Sequence, residues 1–306
     1  MRVYITGAIG FVGGWLQGEL RSHGHEVVPA PGPDELEITD RAALTRWFEG
    51  PAGAPDAVVH LAGMAFAPDA RTDPAEAFRV NVGGTVALFE ALRAMNVRPP
   101  VLVVGSSEVY GSPGAADLPL TEDSPVASYH PYALSKIGEE AVAMEAAARY
   151  GFPVVVTRSF NHAGPGQRPV FVVPAIANRV IAVQRGEATC IRAGNVDVRR
   201  DLTDVRDVVR AYRLLLEWLA GLAVPSCHVV NVASGVAVSI RSIIEAMCAI
   251  VGVETKVEVD ETLVRADDPA EVRGDATLLR QLTGWTPGIS LHQTLADVLA
   301  EAGRSR

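Results

Sequence analysis

Tyr132 and Lys136 stand four residues apart, a spacing that places both side chains on one face of a helix. None of the other five tyrosines has a lysine at that distance, and the chain holds only two lysines, Lys136 and Lys256, beside 25 arginines. The pairing has a chemical use. A free phenol titrates near ~10, too high to trade protons readily at neutral pH. An ammonium close by favours the phenolate and is expected to lower that value. Upstream, the segment Gly105-Ser106-Ser107-Glu108-Val109-Tyr110-Gly111 offers a hydroxyl at Ser106 that can bond an oxygen the tyrosine also touches. Glu108 could take a C–H proton, or could simply be a solvated carboxylate.

A second feature opens the chain. Gly7-Ala8-Ile9-Gly10-Phe11-Val12-Gly13 follows an apolar run and precedes an amphipathic one. Gly7 suits a tight turn, Gly10 lets backbone approach a pyrophosphate, and Gly13 lets the helix pack closely on the strand. Free N–H groups at a helix start then face the phosphates. The pattern predicts a dinucleotide site. At the end of the second strand, where an acid selects NAD or an arginine a 2′-phosphate, the chain reads Pro29-Ala30-Pro31-Gly32. The cofactor is therefore NADP or NAD, with the choice open.

These residues need a scaffold, and the periodicity supplies one. Strands are predicted at 3–6, 27–29, 57–61, 101–105 and 154–158, and helices at 11–23, 41–48, 75–95 and 131–150. The strands are continuous Val/Ile runs, as in parallel sheets buried on both faces. Strand–helix alternation predicts a Rossmann-like, doubly wound α/β sheet. Beyond Arg158 the pattern loosens. Residues 161–174 read as loop, helices are predicted at 171–185, 205–219, 240–251 and 291–301, and short strands at 189–192, 228–232 and 256–259. The expected organisation is a cofactor domain at 1–158 plus about 196–231, with a smaller α/β substrate region at about 159–195 and 232–306.

Composition narrows the function. The formal charge is −9 over 306 residues, which argues against a nucleic-acid surface. Yet residues 158–213 hold ten arginines and five acids, a local excess suited to a diphosphate, although surface ion pairs would account for part of it. No apolar run is long enough to span a bilayer. Cysteines at 190, 227 and 248 form neither a zinc spacing nor a disulfide framework, so no metal is expected and a cytoplasmic setting is. Helices 85–95 and 131–150 carry apolar positions beyond one core-facing stripe, which points to burial against another chain.

Together the motifs resemble the extended short-chain dehydrogenases/reductases, in their nucleotide-sugar branch. Those carrying the resemblance are Thr6–Gly13, His60-Leu61-Ala62-Gly63, Asn81-Val82-Gly83-Gly84-Thr85, Ser106–Gly111 and Tyr132-Ala133-Leu134-Ser135-Lys136. The second half adds Arg158–Gln167, Gly194–Asp197, Arg200–Asp207, Asn231–Gly235 and Gly284-Trp285-Thr286-Pro287, similar to enzymes acting on GDP-mannose derivatives. The resemblance implies an NAD(P)H-dependent reduction of the C4 ketone of a 4-keto-6-deoxy nucleotide sugar, GDP-4-keto-6-deoxy-D-mannose giving GDP-D-rhamnose. A cofactor-recycling 4,6-dehydratase or 4-epimerase is the alternative, and a non-catalytic dinucleotide sensor a lesser one.

It also implies roles. Ser106, Tyr132 and Lys136 would be catalytic, with Glu108 available as base. Gly7, Gly10, Phe11, Val12, Gly13, Glu37, Ile38, Leu61, Ala62, Gly63, Asn81, Phe160 and His162 would join Tyr132 and Lys136 around the cofactor. Ser107, Asn161, Phe171, Val172, Arg179, Asn195, Arg200, Arg265 and Asp268 would face the nucleotide sugar, with Arg200 and Arg265 on its diphosphate.

Overall fold

The computed structural model describes residues 1–264 and 268–304. Its strands are β1 (Arg2–Thr6), β2 (Glu26–Pro29), β3 (Ala57–His60), β4 (Val101–Val104), β5 (Val154–Ser159), β6 (Asn161–Ala163), β7 (Cys190–Ala193), β8 (Arg199–Asp204), β9 (Cys227–Val232), β10 (Ala237–Ser239), β11 (Lys256–Val259) and β12 (Glu271–Val272). Its helices are α1 (Phe11–Ser22), α2 (Arg41–Phe48), α3 (Ala67–Thr72), α4 (Pro74–Phe78), α5 (Gly84–Ala94), α6 (Pro131–Tyr150), α7 (Val172–Gln184), α8 (Val205–Ala220), α9 (Ile240–Val251), α10 (Thr277–Thr283) and α11 (Leu291–Arg304).

The large sheet runs β2-β1-β3-β4-β5-β9, parallel throughout. Its inner strands are Val/Ile-rich because helices cover both faces, leaving no wet side on which polar residues could alternate. One face packs on α1 and α8, where Val205, Val208, Val209, Tyr212, Leu215, Leu216 and Leu219 form a buried stripe at three- and four-residue spacing. The other packs on α2, α5 and α6. Strand order reverses between β1 and β3, so a crevice opens at their carboxyl ends.

A third apolar cluster, centred on α7, α9 and α11, supports β10-β8-β12, with β6 also on β8, and the β7–β11 pair. The segment 199–207 contains β8. Its acids are not solvated: Asp201 is fully buried and accepts from the backbone N–H groups of Ser234, Gly235 and Gly274 at 2.8, 2.9 and 3.2 Å. The expected loop at 161–174 begins with β6, which pairs with Leu202–Asp204 of β8 beyond the stretch that β12 takes. The expected helix over 75–95 is interrupted by one wide turn at Arg79–Gly83, and Asn81 sits in that turn.

Candidate active site

The crevice is built by close backbone approach. Gly7 ends β1 with φ +69°, and a Cβ there would lie 2.7 Å from the Ala62 nitrogen. A Cβ on Gly13 would lie 2.4 Å from the Gly7 carbonyl oxygen. Gly10 starts α1 without a side-chain cap, and the first turn carries no acid, so its N–H groups are available to an anion. This fits a dinucleotide pyrophosphate. The Thr6 hydroxyl accepts from the Leu61 and Ala62 nitrogens at 3.2 and 3.1 Å, fixing the second loop of the cradle.

Asn81 fixes that loop from the other side. Its Oδ1 accepts from the Met64 nitrogen at 2.7 Å, and Nδ2 donates to the Met64 carbonyl at 3.2 Å and to the Ser135 hydroxyl at 2.8 Å. The side chain is fully buried and spent, so it orients the loop rather than offering a free amide to a cofactor. Two more expected cofactor residues have buried side chains. Ile38 packs against Gly84, and Phe160 lies in the core beside Gly274. By contrast, Phe11 stacks on His162, ring centroids 6.2 Å apart, which ties the phosphate turn to β6. Val12 is half-buried. Glu37 accepts from Thr39 and faces Arg79 at 3.4 Å, and these contacts hold its carboxyl below the usual range.

The candidate catalytic corner lies where β4 meets α6. His130 caps α6 and Pro131 follows in its first turn. Tyr132 is 7% exposed, and its phenol faces the Ser106 hydroxyl. The phenol's pKa is raised, not lowered as the Tyr/Lys spacing suggests. Burial is the main cause, Glu108 and Glu139 add to it, and Ser106 opposes it. Lys136 does not oppose the rise, because it points elsewhere. Its Nζ donates to the Val104 carbonyl at 3.0 Å and lies 2.7 Å from the Glu139 carboxylate. Glu108 is bound to His130 Nε2 at 2.9 Å. His130 Nδ1 accepts from the Ala133 nitrogen at 3.3 Å, so Nε2 carries the proton that Glu108 receives.

The substrate-side residues are more scattered. Ser107 is buried beside Ser106, whereas Asn161 and Asn195 are exposed. Phe171 meets Phe66 edge-on at 5.3 Å and is followed by exposed Val172 at the start of α7. Arg179 lines a shallow surface depression with Thr189 and Arg192. Arg200 is not a free cation: it pairs with Asp268 and donates to the Pro269 carbonyl at 2.9 Å. Seven of the ten arginines between 158 and 213 are ion-paired. The local positive excess is therefore largely consumed by carboxylates, several of them distant in sequence. Arg265 lies outside the described residues.

Residues 34–298 match the GDP-mannose 4,6 dehydratase family. The chain belongs to this family. It is 36% identical to GDP-6-deoxy-D-mannose reductase of Pseudomonas aeruginosa over 303 residues, 98% of this chain and 96% of the relative. It is 30% identical to UDP-glucose 4-epimerase of Mycolicibacterium smegmatis, covering 98% of this chain and 97% of that one. The structure of RMD from Pseudomonas aeruginosa complexed with NADPH superposes with a TM-score of 0.88 at 34% identity, over 99% of both chains.

Within this family of extended short-chain dehydrogenase/reductase folds, the site holds three residues that sequence reasoning passed over. Glu139 confronts Lys136, His130 holds Glu108, and Ser135 receives Asn81. Only Glu139 left a legible trace, as an acid three residues after the lysine on the same helix face.

Proposed function

We propose that this protein reduces the C4 ketone of a 4-keto-6-deoxy nucleotide sugar, taking GDP-4-keto-6-deoxy-D-mannose to GDP-D-rhamnose. The observation that carries the reading is the buried Ser106–Tyr132 pair, held as a phenol, in a chain resembling GDP-6-deoxy-D-mannose reductase along nearly its whole length. Residues 1–158 with the segment returning through α8 and β9 are read as the cofactor part, and the remainder as the sugar-nucleotide part. NADPH or NADH would lie over the carboxyl ends of β1 and β3, its diphosphate on the start of α1, and would supply the hydride to C4. Tyr132 donates its phenolic proton to the ketone oxygen, so the phenol O–H breaks as the product O–H forms. Ser106 bonds the same oxygen, and the Lys136 ammonium fixes the polar edge of the site. Ion-paired Arg200 orders the 268–269 segment, the neighbour of Arg265, for the substrate diphosphate.

The second reading, a cofactor-recycling 4,6-dehydratase or epimerase, is favoured by Glu108, a half-exposed carboxylate beside Tyr132. One experiment separates them. Purified protein is mixed with the 4-keto-6-deoxy sugar nucleotide and NADPH or NADH. Stoichiometric cofactor oxidation supports the reductase. Tightly retained NAD with no net oxidation supports the alternative. Tyr132→Phe should cut turnover by about 10²–10⁴-fold while leaving cofactor binding intact.

We also propose a homodimer through helices 85–95 and 131–150. Val86, Leu134 and Met144 on these helices are exposed, and Phe78 lies just before them. Sedimentation should give a dimer that Leu134→Glu with Met144→Glu dissociates, and a monomeric parent rejects the interface. No described helix is long and apolar enough to cross a membrane. The three cysteines are free thiols, on which we assign a cytoplasmic location that cell fractionation checks.

A further inference from the structure

Glu108 and His130 stand near the two ends of the segment that joins β4 to α6. The return of that segment is fixed by backbone bonds, with the Ala127 and Ser128 nitrogens donating to the Val109 carbonyl at 3.1 and 3.2 Å. Glu108 is fixed from its own side. Its nitrogen donates to the Ser106 hydroxyl at 3.2 Å, and its carbonyl accepts from the Gly111 nitrogen at 3.1 Å. The two side chains meet across this junction, His130 Nε2 lying 2.9 Å from Glu108 Oε2. The imidazole is held for that contact. Its Nδ1 accepts from the Ala133 nitrogen at 3.3 Å, and the ring stacks beside Tyr132, centroids 6.3 Å apart and planes 12° from parallel. With Nδ1 occupied as an acceptor, Nε2 carries its hydrogen toward the carboxylate. Among the described residues, no lysine or arginine pairs with Glu108.

A carboxylate this close to the proton-transfer tyrosine matters for a ketone. Hydrogens on the two carbons flanking a carbonyl are acidic, and a free carboxylate is a competent base for them. The C–H bond would break, its electron pair would pass through the carbonyl to the oxygen, and the proton would move to Glu108. The Glu108 side chain is 44% exposed, so that proton would trade with water before returning to carbon. The outcome would be exchange or, by return to the opposite face, epimerisation beside the ketone. We propose that His130 is a positioning residue that tethers the Glu108 carboxylate, so that it does not take these hydrogens and the ketone is reduced with its neighbouring centres untouched. The inference rests on the reading of a 4-keto sugar nucleotide as substrate. Glu108 must give up the Nε2 contact before it can swing to carbon, and one polar contact to a charged group sets that penalty at about tenfold or more in rate.

The test is His130→Asn. Asparagine is a strong helix cap, so α6 keeps its start, but its amide ends one bond short of Nε2 and leaves Glu108 loose. Each protein is held in D2O with the 4-keto-6-deoxy sugar nucleotide and NADP+ or NAD+, so that no hydride is available. Deuterium in the recovered nucleotide sugar is read by mass spectrometry against a heat-inactivated blank. The parent should stay at the blank, and His130→Asn should exceed it about tenfold or more. His130→Gln, long enough to reach Glu108, should bring exchange back down. Glu108→Gln added to His130→Asn should abolish the excess. Exchange in the parent, a folded His130→Asn that stays at the blank, or an excess that survives Glu108→Gln overturns the proposal. Should His130→Asn not fold, His130→Ser, another strong cap, takes its place under the same outcomes. Oxidation of NADPH and NADH by the same ketone is measured in parallel. Excess exchange in the variant of a protein that oxidises neither cofactor sinks the reductase reading alone. A ketone reductase whose variant stays at the blank sinks this inference alone, and a flat result in both assays sinks both.

Discussion

Asn81→Ala tests whether the asparagine acts on the loop or on the cofactor. The side chain makes three hydrogen bonds, at 2.7, 3.2 and 2.8 Å, and is fully buried. Each such bond is worth about 0.5–1.5 kcal/mol net, and a partner left unpaired in the interior costs about 1–3 kcal/mol. Met64 is half-buried, so water can recover its groups, whereas the Ser135 hydroxyl still has the Tyr132 carbonyl at 2.7 Å. The sum comes to about 2–4 kcal/mol. For a chain this long that corresponds to about 3–6 °C in Tm, measured by calorimetry on the cofactor-free protein. NADPH affinity should fall as well, because the 61–64 loop loses its anchor at Met64. The decisive comparison is between the two readouts. If the cofactor-free Tm is unchanged while NADPH binding collapses, the amide contacts the cofactor directly and the assignment to loop positioning is wrong.

Two further outcomes follow from the same geometry. Gly13→Ala would press a methyl to within 2.4 Å of the Gly7 carbonyl oxygen and 2.7 Å of the Ala8 Cα. Backbone cannot swing aside, so α1 must lift, at about 1–3 kcal/mol, and NADPH dissociation constants should rise tenfold or more by fluorescence titration; unaltered affinity would separate α1 from the phosphate site. His60 carries a pH prediction. Its folded value of about 3 lies below the ordinary 6.5, so the unfolded chain binds the proton that the folded one refuses. Its contribution to stability is complete above pH 6.5 and is lost as pH falls toward 3, at up to about 1.4 kcal/mol per pH unit. Urea unfolding across that range should show a slope that His60→Gln reduces, and an identical slope in the variant would refute the buried neutral ring.

The sequence carried more of the site than of its electrostatics. Gly7 and Gly13 were legible because backbone crowding admits no other residue there, and Tyr132 and Lys136 because helical spacing is a local rule. The Val/Ile runs of β1, β3, β4 and β5 announced a sheet covered on both sides. What failed involved partners remote along the chain. The acids of the Arg/Asp run at 199–207 find partners far along the chain: Ser234, Gly235 and Gly274 satisfy Asp201, and Gly288 and Ile289 satisfy Asp207 at 2.9 and 2.8 Å.

Local sequence rules therefore determined the glycine turn after β1, the tyrosine–lysine pair on one helix face and the order of strands and helices, since each depends on residues within a few positions of one another. Tertiary structure alone decided the charges. It turned most of the arginine excess into ion pairs, sent the Lys136 ammonium to Glu139, and raised the Tyr132 phenol where spacing had suggested it would be lowered. Burial and the neighbours it imposes set the cost of a charge, and neither is written in the spacing of residues along the chain.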